Sequence, residues 1–483
     1  MNSSEYLMLL LALFISCFFL VVEVKKFFRK NGKLPSGPTR LPFFGNYLQL
    51  RNKEYAKTIS NFHKKYGDVC TIYLGSQPVI LVTGYQAVKE VLVDRGDDFL
   101  ARGELAAFDS SYKNYGLAFT SNINRWRELQ RFSISVLRDF GMGKKSIEER
   151  ILEEAACLVR ELKRMKGPSD NVIFSIMFGY RQDYDDEELL NVLKYIHEVA
   201  AIICSPWGQL YEMLPRFVPG PHQMIFKYME KLLLFVEKRI KVNKKTLDAD
   251  NPRDYVDAFL IKMEKEKMTP LSEYTLRNLV CSTLQIFFAG VETMSSTLAY
   301  SFLIMMKYPD ILAKVHEELD RVIGRNRSPK LQDRIQMPYT CHVIHEMQRC
   351  IDLLPLGMPR KTTRDINFRG YSIPKDTCVF PILSSVLKDP SCFPFPTQFN
   401  PQNFLDEKGE FKKNDASMPL AAGKRNCLGE ALVRMELYLF IVTVLQNFTL
   451  KSPVPIEELD ITPVYGLGNL PKPYTISFIP RFT

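Results

Sequence analysis

A cysteine in a glycine-containing loop, directly before a long helical segment, is the feature that most restricts what this chain can form. The loop carries Gly423, Arg425, Cys427 and Gly429, each separated from the next by one residue, and a helical pattern follows over residues 430–445. Backbone N–H groups at a helix N-terminus are expected to lower the pKa of a thiol placed there. Glycines allow a tight turn and a close approach of the backbone to a flat, bulky group, and a guanidinium suits a carboxylate. These residue types predict a thiolate ligand for a soft metal centre with a carboxylate-binding cation beside it.

A haem held by a cysteine would use the thiolate, the close backbone approach and the carboxylate-binding cation together. The alternative is an ordinary buried cysteine at the start of a helix. The ordered set Gly-x-Arg-x-Cys-x-Gly favours haem. The stretch resembles the haem-ligand loop of the cytochrome P-450 family, Phe-x-x-Gly-x-Arg-x-Cys-x-Gly, with Leu420 where phenylalanine is usual. The resemblance implies haem b as the cofactor, with Cys427 as the axial thiolate and metal ligand. The change at Leu420 stays apolar and predicts altered packing near the sulfur without loss of haem.

Residues 276–307 form one long helical pattern that ends at Pro309, and Glu292 is the single charge between positions 278 and 306. A second transmembrane helix is the alternative on length alone. The hydroxyl side chains and the central carboxylate favour the central helix of a large all-α domain instead. Its middle, Ala-Gly-Val-Glu292-Thr293, resembles the family's Ala/Gly-Gly-x-Asp/Glu-Thr segment, which crosses the haem face. The resemblance implies that Glu292 and Thr293 are catalytic and relay protons to bound dioxygen.

Further cofactor-binding residues follow from the resemblance, mainly as partners of the haem propionates. The full cofactor-binding set is Arg102, Trp126, Arg360, Arg425 and Cys427. The family pattern after the tryptophan is Trp-x-x-x-Arg, whereas this chain has Gln130 at that position and Arg131 one residue later. One residue along a helix is a rotation of about 100°, so Arg131 is expected to point elsewhere.

A Glu-x-x-Arg motif, Glu346 with Arg349, places two opposite charges on one helix face. It matches a structural ion pair of the family, and Asn403 stands where relatives have a charged third partner. His342 and His345 beside the glutamate raise the alternative of a zinc helix, but the spacing is not that of metallopeptidase helices and no third ligand suggests itself.

Composition restricts the partners. The 483 residues are 46% hydrophobic and carry a formal charge of +10 that is spread along the chain, which suits an anionic membrane surface or an acidic protein more than nucleic acid. The ten cysteines contain no Cys-x-x-Cys pair, which argues against a disulfide scaffold or zinc ribbon and for a reducing compartment.

An uncharged, mostly apolar run over residues 6–22 precedes five basic residues between positions 25 and 33. A cleaved signal peptide is the alternative, but its charge would come before the apolar run. The order predicts a signal-anchor with its basic flank in the cytosol, in the thin endoplasmic reticulum membrane. We therefore predict an anchor and basic flank at residues 1–30, a proline-rich hinge at 31–45 and a catalytic domain at 46–483.

A short hairpin is predicted over residues 69–82, and long amphipathic helices follow from about residue 147. The segment 165–172 is about a dozen residues shorter than in the family. The predicted fold is mainly α with a small β-rich portion, a single large cytochrome P-450-like haem-thiolate domain behind an N-terminal membrane anchor.

The function implied by the resemblance is a haem-thiolate monooxygenase that inserts one oxygen atom from dioxygen into a lipophilic small molecule, in the microsomal drug- and lipid-oxidising branch. No Gly-x-Gly-x-x-Gly after a strand and no P-loop is present, so electrons are expected from an NADPH-dependent flavoprotein reductase, with cytochrome b5 as a second candidate donor. Candidate docking lysines are Lys144, Lys145, Lys412, Lys413 and Lys424.

Two other functions stay open. One is a lipid-peroxide isomerase or dehydratase that needs no reductase, and the other is a non-catalytic haem sensor or binding protein. Fatty acids, steroids and xenobiotics are all compatible with the expected apolar pocket residues Phe108, Leu117, Phe119, Phe287, Phe288, Leu354, Met358 and Leu467.

Overall fold

The computed structural model describes residues 34–482 except 43, 51–54, 142–144, 164–186, 206–219, 407–409 and 465–467. The fold is mainly α with small sheets, which confirms the predicted fold class. The helices are α1 (Tyr47–Leu50), α2 (Tyr55–Tyr66), α3 (Tyr85–Lys89), α4 (Ala106–Tyr112), α5 (Ile123–Asp139), α6 (Lys145–Lys163), α7 (Glu187–Cys204), α8 (Gln223–Lys245), α9 (Tyr255–Lys265), α10 (Leu276–Lys307), α11 (Pro309–Val322), α12 (Pro338–Ile351), α13 (Leu383–Leu387) and α14 (Glu430–Asn447). A π-helical segment, Glu90–Asp94, continues α3, and 3-10 turns span Leu331–Ile335, Pro401–Phe404, Gly423–Arg425 and Ile456–Glu458.

The strands are β1 (Val69–Leu74), β2 (Gln77–Val82), β3 (Ala101–Arg102), β4 (Arg360–Lys361), β5 (Ile366–Phe368), β6 (Tyr371–Ile373), β7 (Cys378–Pro381), β8 (Phe448–Lys451) and β9 (Ser477–Pro480). The main sheet has the order β1-β2-β7-β4-β3, with only the β2–β7 pair parallel. The hairpin predicted over residues 69–82 is β1–β2. The sheet therefore joins the hairpin to two short strands from distant parts of the chain, β3 and β4.

Helix α10 is the longest described helix and has the predicted bounds. Its first turn is capped by Thr275, whose side chain accepts a hydrogen bond from the Asn278 N–H. Tyr308 ends it because Pro309 starts α11 at once. The first part of α10 packs in one apolar cluster with α5, α7, α8 and α9, and its last part packs in a second with α6, α11, α12 and α14. The middle of α10 is thus held from both sides.

Residues 34–40 of the predicted proline-rich hinge run without regular structure along β1. The Thr71 N–H donates to the Ser36 carbonyl, and a Cβ at Gly37 would lie 1.8 Å from the Thr71 oxygen. Asn46 donates to the carbonyls of Pro38 and Thr39. This part of the hinge is therefore docked on the sheet.

Within the described residues, no helix has the length and apolar character needed to cross a membrane. The predicted anchor over residues 6–22 and the shortened segment 165–172 lie outside the described residues.

Candidate haem site

The cysteine loop is fixed to the rest of the protein by Gly423. This residue has φ +76°, and a Cβ there would lie 1.8 Å from the carbonyl oxygen of Leu92 in the π-helical segment. Both facts require glycine. Gly429 differs: a Cβ there would have no protein atom within 4 Å. The sequence predicted a close approach of the backbone to a bulky group at both glycines. At Gly423 the close contact is with protein, whereas no protein atom fills the space beside Gly429.

Cys427 lies between these glycines, directly before α14, and its N–H donates to the Leu420 carbonyl at 3.0 Å. The thiol is half-buried. Burial raises its pKa, Glu430 raises it further, and the hydrogen bond from the Gly429 backbone lowers it. The expected effect of the helix N-terminus is present but smaller than the desolvation, so the prediction of a lowered pKa is wrong for the protein alone. A thiolate here needs a nearby cation such as a metal ion.

Three buried arginines, Arg102, Arg360 and Arg425, form a cluster beside the loop. The antiparallel pairing of β3 with β4 sets Arg102 directly opposite Arg360, which places both side chains on one face of the sheet. Arg360 donates to the Arg425 carbonyl at 3.4 Å. Arg425 donates to the carbonyls of Leu100 and Thr120 at 3.1 and 3.0 Å. The sequence-predicted arginines therefore converge although they come from three distant segments.

Helix α10 supports this cluster through the segment before α5. Gln285 accepts a hydrogen bond from the Ala118 N–H at 2.7 Å and donates to the Tyr115 carbonyl at 3.0 Å. The Ala118 carbonyl in turn accepts from Arg102 at 2.9 Å. The cluster is consequently positioned by both the sheet and the central helix.

The cluster lacks balancing negative charge within the described residues. None of the three arginines joins an ion pair there, and Arg102 Nη1, Arg360 Nε and Arg425 Nη1 are buried without a hydrogen-bond partner. Burial lowers the pKa of Arg102 to about 10, and burial together with the neighbouring guanidiniums lowers those of Arg360 and Arg425 well below the usual value. Buried charges without partners are costly. The cluster therefore fits a ligand with more than one carboxylate, and haem carries two propionates.

Trp126 is buried in α5, and the guanidinium carbon of Arg425 lies 4.4 Å from the centroid of its ring. Four residues later, Gln130 donates to the Lys424 carbonyl in the cysteine loop at 3.2 Å. Arg131 is exposed on the outer side of the helix. Gln130 thus holds the loop at the position where the resemblance expects an arginine, and Arg131 does not replace it.

Glu292 and Thr293 sit in the middle of α10, but their side chains bond in different directions. The Thr293 hydroxyl donates to the Ala289 carbonyl at 2.6 Å. Glu292 is buried, with Oε1 accepting from Ser296 at 3.4 Å and Oε2 lying 2.6 Å from Nδ1 of His197 on α7. Sequence reasoning missed His197, since nothing local marks a histidine that meets its partner across two packed helices.

The Glu346–Arg349 pair is fully buried, with Nε–Oε2 and Nη2–Oε1 distances of 2.7 Å. Asn403 donates to Glu346 at 3.0 Å, as the neutral third partner predicted from the sequence. His342 and His345 instead stack around Phe411, and no group of three metal-binding side chains occurs in the described residues. Nothing in that part of the chain supports the zinc alternative.

Three of the residues expected to line an apolar pocket form an aromatic group between α4 and α10. Phe108 stacks on Phe119 with 4.3 Å between ring centroids, and Phe288 meets Phe108 edge-on at 6.0 Å. A cavity of about 1170 Å³ beside the main sheet reaches the arginine cluster at Arg102, but among the described residues expected to line the pocket it is lined by Phe119 alone. Leu117, Phe287 and Met358 pack in the same core, Leu354 is half-buried, and Leu467 lies outside the described residues.

A cysteine loop beside a buried, uncompensated arginine cluster defines the class of haem-thiolate proteins. The family model described as Cytochrome P450 matches residues 35–478. Similar proteins include cytochrome P450 2G1 of Oryctolagus cuniculus, 48% identical over 486 residues with 98% of both chains covered, and cytochrome P450 2A11 of the same species, 49% identical over 490 residues with 98% of this chain and 99% of the relative covered. Cytochrome P450 2A4 of Mus musculus is 48% identical over 496 residues and covers 100% of both.

The chain belongs to the cytochrome P450 family and resembles its family 2 members. It is a haem-thiolate monooxygenase whose cofactor is haem with iron bound by a cysteine thiolate. Enzymes of this family take electrons from a redox partner and bind small-molecule substrates. When bound, the haem supplies dioxygen activation.

Proposed function

We propose that this protein inserts one oxygen atom from dioxygen into a lipophilic small molecule, a fatty acid, steroid or xenobiotic, with electrons from NADPH delivered by a flavoprotein reductase. The observation that carries the proposal is the buried arginine cluster beside the cysteine loop. Its three orphaned guanidinium nitrogens belong to Arg102, Arg360 and Arg425 and suit the two propionates of haem. The aromatic group of Phe108, Phe119 and Phe288 favours an apolar substrate.

Each site residue has a distinct role in this proposal. Cys427 would hold the haem iron through its thiolate, and the electron-rich sulfur would tune the dioxygen chemistry that the haem supplies. Arg102, Arg360 and Arg425 bind the propionates, while Trp126 supports Arg425 through its ring face. Thr293 positions a proton at the reacting oxygen, and Glu292 supplies protons to this part of α10.

The reductase is proposed to dock on the face that carries the cysteine loop, with cytochrome b5 as an alternative donor on the same face. Lys412 and Lys413 are exposed, and within the described residues Lys413 pairs with exposed Asp415 at 3.1 Å. Lys424 is also exposed but pairs with Asp97 at 2.7 Å, so it is a weaker candidate. The side chains of Lys144 and Lys145 lie outside the described residues.

The protein is proposed to reside on the endoplasmic reticulum membrane with its catalytic domain in the cytosol. The basic residues after the apolar run support this orientation. Asn447-Phe448-Thr449 is an acceptor sequence for N-glycosylation. In sealed microsomes, glycosidase is expected to leave the mass unchanged, and added protease is expected to digest the catalytic domain. Protection from protease would reverse the orientation and exclude a cytosolic reductase.

The ligand assignment is tested by Cys427→Ala. Loss of the red-shifted absorption band of the reduced carbonyl complex is expected, because the sulfur is the electron donor that shifts it. The matched control is Cys392→Ala, which removes a different half-buried thiol. A Cys427→Ala protein that keeps the band would show that another residue binds the iron.

The reaction type is tested with reductase, NADPH and a panel of fatty acids, steroids and drugs, with products measured by mass. Products that gain one oxygen atom and require NADPH support the monooxygenase. Turnover of lipid peroxides without NADPH would support the isomerase alternative. Binding of carbon monoxide without consumption of NADPH on any substrate would support a haem sensor.

A further inference from the structure

A buried carboxylate and an accessible imidazole meet where α7 crosses the central helix. Glu292 Oε2 lies 2.6 Å from Nδ1 of His197, the separation of a close ion pair, although the ring N–H is not aligned with this oxygen as in a hydrogen bond. The carboxylate side chain is only 10% exposed, whereas the imidazole side chain is 52% exposed. The pair thus connects water to the interior of α10.

Glu292 is well placed to pass a proton inward. It is the only acidic or basic residue between positions 278 and 306, so α10 offers no competing carboxylate. Its second oxygen accepts from Ser296, one turn along the same helix. The neighbouring residue Thr293 carries the hydroxyl that faces the other way, with its proton on the Ala289 carbonyl.

We propose that His197 is the outer member of a proton route that supplies Glu292 and, through it, the catalytic middle of α10. In one cycle the imidazolium gives its Nδ1 proton to Oε2, which leaves a neutral imidazole and a neutral carboxylic acid. Glu292 passes that proton inward and becomes a carboxylate again. Water then returns a proton to the accessible ring. His197 acts through Glu292 and is therefore a positioning and relay residue; this role rests on the proposed monooxygenase reaction.

The first test needs no turnover, so its outcome is independent of the proposed function. Infrared difference spectra of the ferric holoenzyme are recorded for the parent protein and for His197→Leu. In His197→Leu the buried carboxylate loses its partner, and the carbonyl band of a protonated carboxylic acid should appear. The band should be absent when Glu292→Gln is added. An unchanged spectrum in His197→Leu would overturn the pairing.

The second test separates relay from simple electrostatic support. His197→Lys keeps a cation next to Glu292, so no carboxylic acid band is expected, but lysine holds its proton too tightly to relay it at neutral pH. Both His197→Leu and His197→Lys should therefore lower the share of NADPH electrons that reach product, by less than the roughly tenfold expected for loss of a direct donor, because His197 acts at one remove. If His197→Lys restores this share, His197 does not relay protons and only supports the charge of Glu292.

A matched control is Lys194→Leu, which removes an exposed cation one turn away on α7. It should leave both the infrared spectrum and the electron share unchanged. If His197→Leu instead weakens substrate binding and leaves the electron share intact, His197 contacts substrate and the relay is wrong.

Discussion

The guanidinium carbon of Arg425 lies 4.4 Å from the centroid of the Trp126 ring, so the residue two before the cysteine rests on a tryptophan from α5. This contact orients a cation that is already held by two backbone carbonyls. The remaining nitrogen, Nη1, is buried without a partner in the described part of the chain. The arrangement leaves that nitrogen available for a propionate.

Arg425→Leu is expected to weaken haem retention, because one propionate loses a charge-assisted hydrogen bond. Such a bond contributes about 1.5–3 kcal/mol, which corresponds to roughly a tenfold to hundredfold faster transfer of haem to apomyoglobin. The haem-free variant should resist heat at least as well as the haem-free parent, because a costly buried charge is gone.

Arg131→Leu is the control for Arg425, since Arg131 is exposed and points away from the cluster. It should leave the transfer rate unchanged. Equal haem retention in Arg425→Leu and the parent would mean that the cluster does not bind propionates.

The two loop glycines should respond differently to alanine. Gly423→Ala forces a Cβ to 1.8 Å from the Leu92 oxygen and requires a positive φ, so folded protein should be lost or its melting temperature should fall sharply. Gly429→Ala meets no protein atom within 4 Å and should keep the haem-free fold. A lower haem content in folded Gly429→Ala would then report the approach of haem itself. Similar melting temperatures for the two haem-free variants would contradict this account.

Thr293→Ala should lower product formation about tenfold more than NADPH consumption, since dioxygen is still reduced but protons are no longer positioned. Assays of product, NADPH and hydrogen peroxide at fixed times measure how NADPH consumption divides between product and peroxide. Ser301→Ala is the control, because it also removes a hydroxyl that bonds the preceding turn of α10. Equal loss of product formation and NADPH consumption in Thr293→Ala would indicate a packing role.

His342 and His345 on α12 should make the protein less stable in mild acid. Burial lowers the pKa of His342 to about 4, and burial with Arg434 and Arg334 lowers that of His345 to about 3. Below a pH of about 6.5 the unfolded chain binds protons that the folded protein does not. This contribution to stability is complete above that pH and is lost as the pH falls toward 4.

The measured quantity is the fall in melting temperature between pH 7 and pH 5. Each buried histidine that is replaced should make this fall smaller. His342→Asn with His345→Asn should show a smaller fall than the parent. His63→Asn is the control, since His63 is partly exposed beside Asp68. An unchanged fall in the double variant would show that the buried histidines do not set the acid sensitivity.

Local sequence patterns predicted the parts of the site that lie within one segment. Gly423, Arg425 and Cys427 follow from one loop, and the bounds of α10 follow from its apolar pattern and Pro309. The sign of the Cys427 pKa shift was wrong because desolvation depends on packing that the loop sequence does not contain. Contacts between distant segments, such as Gly423 with Leu92 or His197 with Glu292, were equally inaccessible.

Arg102 and Arg360 were predicted as haem partners from family resemblance, whereas their pairing across β3 and β4 needs the sheet register. Two-residue strands carry too little alternation for that register to be inferred from sequence. Gln130 departs from the family pattern, yet its side chain still contacts the cysteine loop, and the sequence alone did not indicate this contact.

The close contact of Gly423 with the Leu92 carbonyl joins two segments that are synthesised at different times. Ribosomes add roughly 5–20 residues per second, so the loop leaves the ribosome some tens of seconds after the segment that receives it. Until then the nascent chain can display Arg102 and Trp126 but has neither the sulfur nor the third arginine. Haem therefore cannot be secured by its thiolate until the cysteine loop has left the ribosome, which places that step late in synthesis or after it.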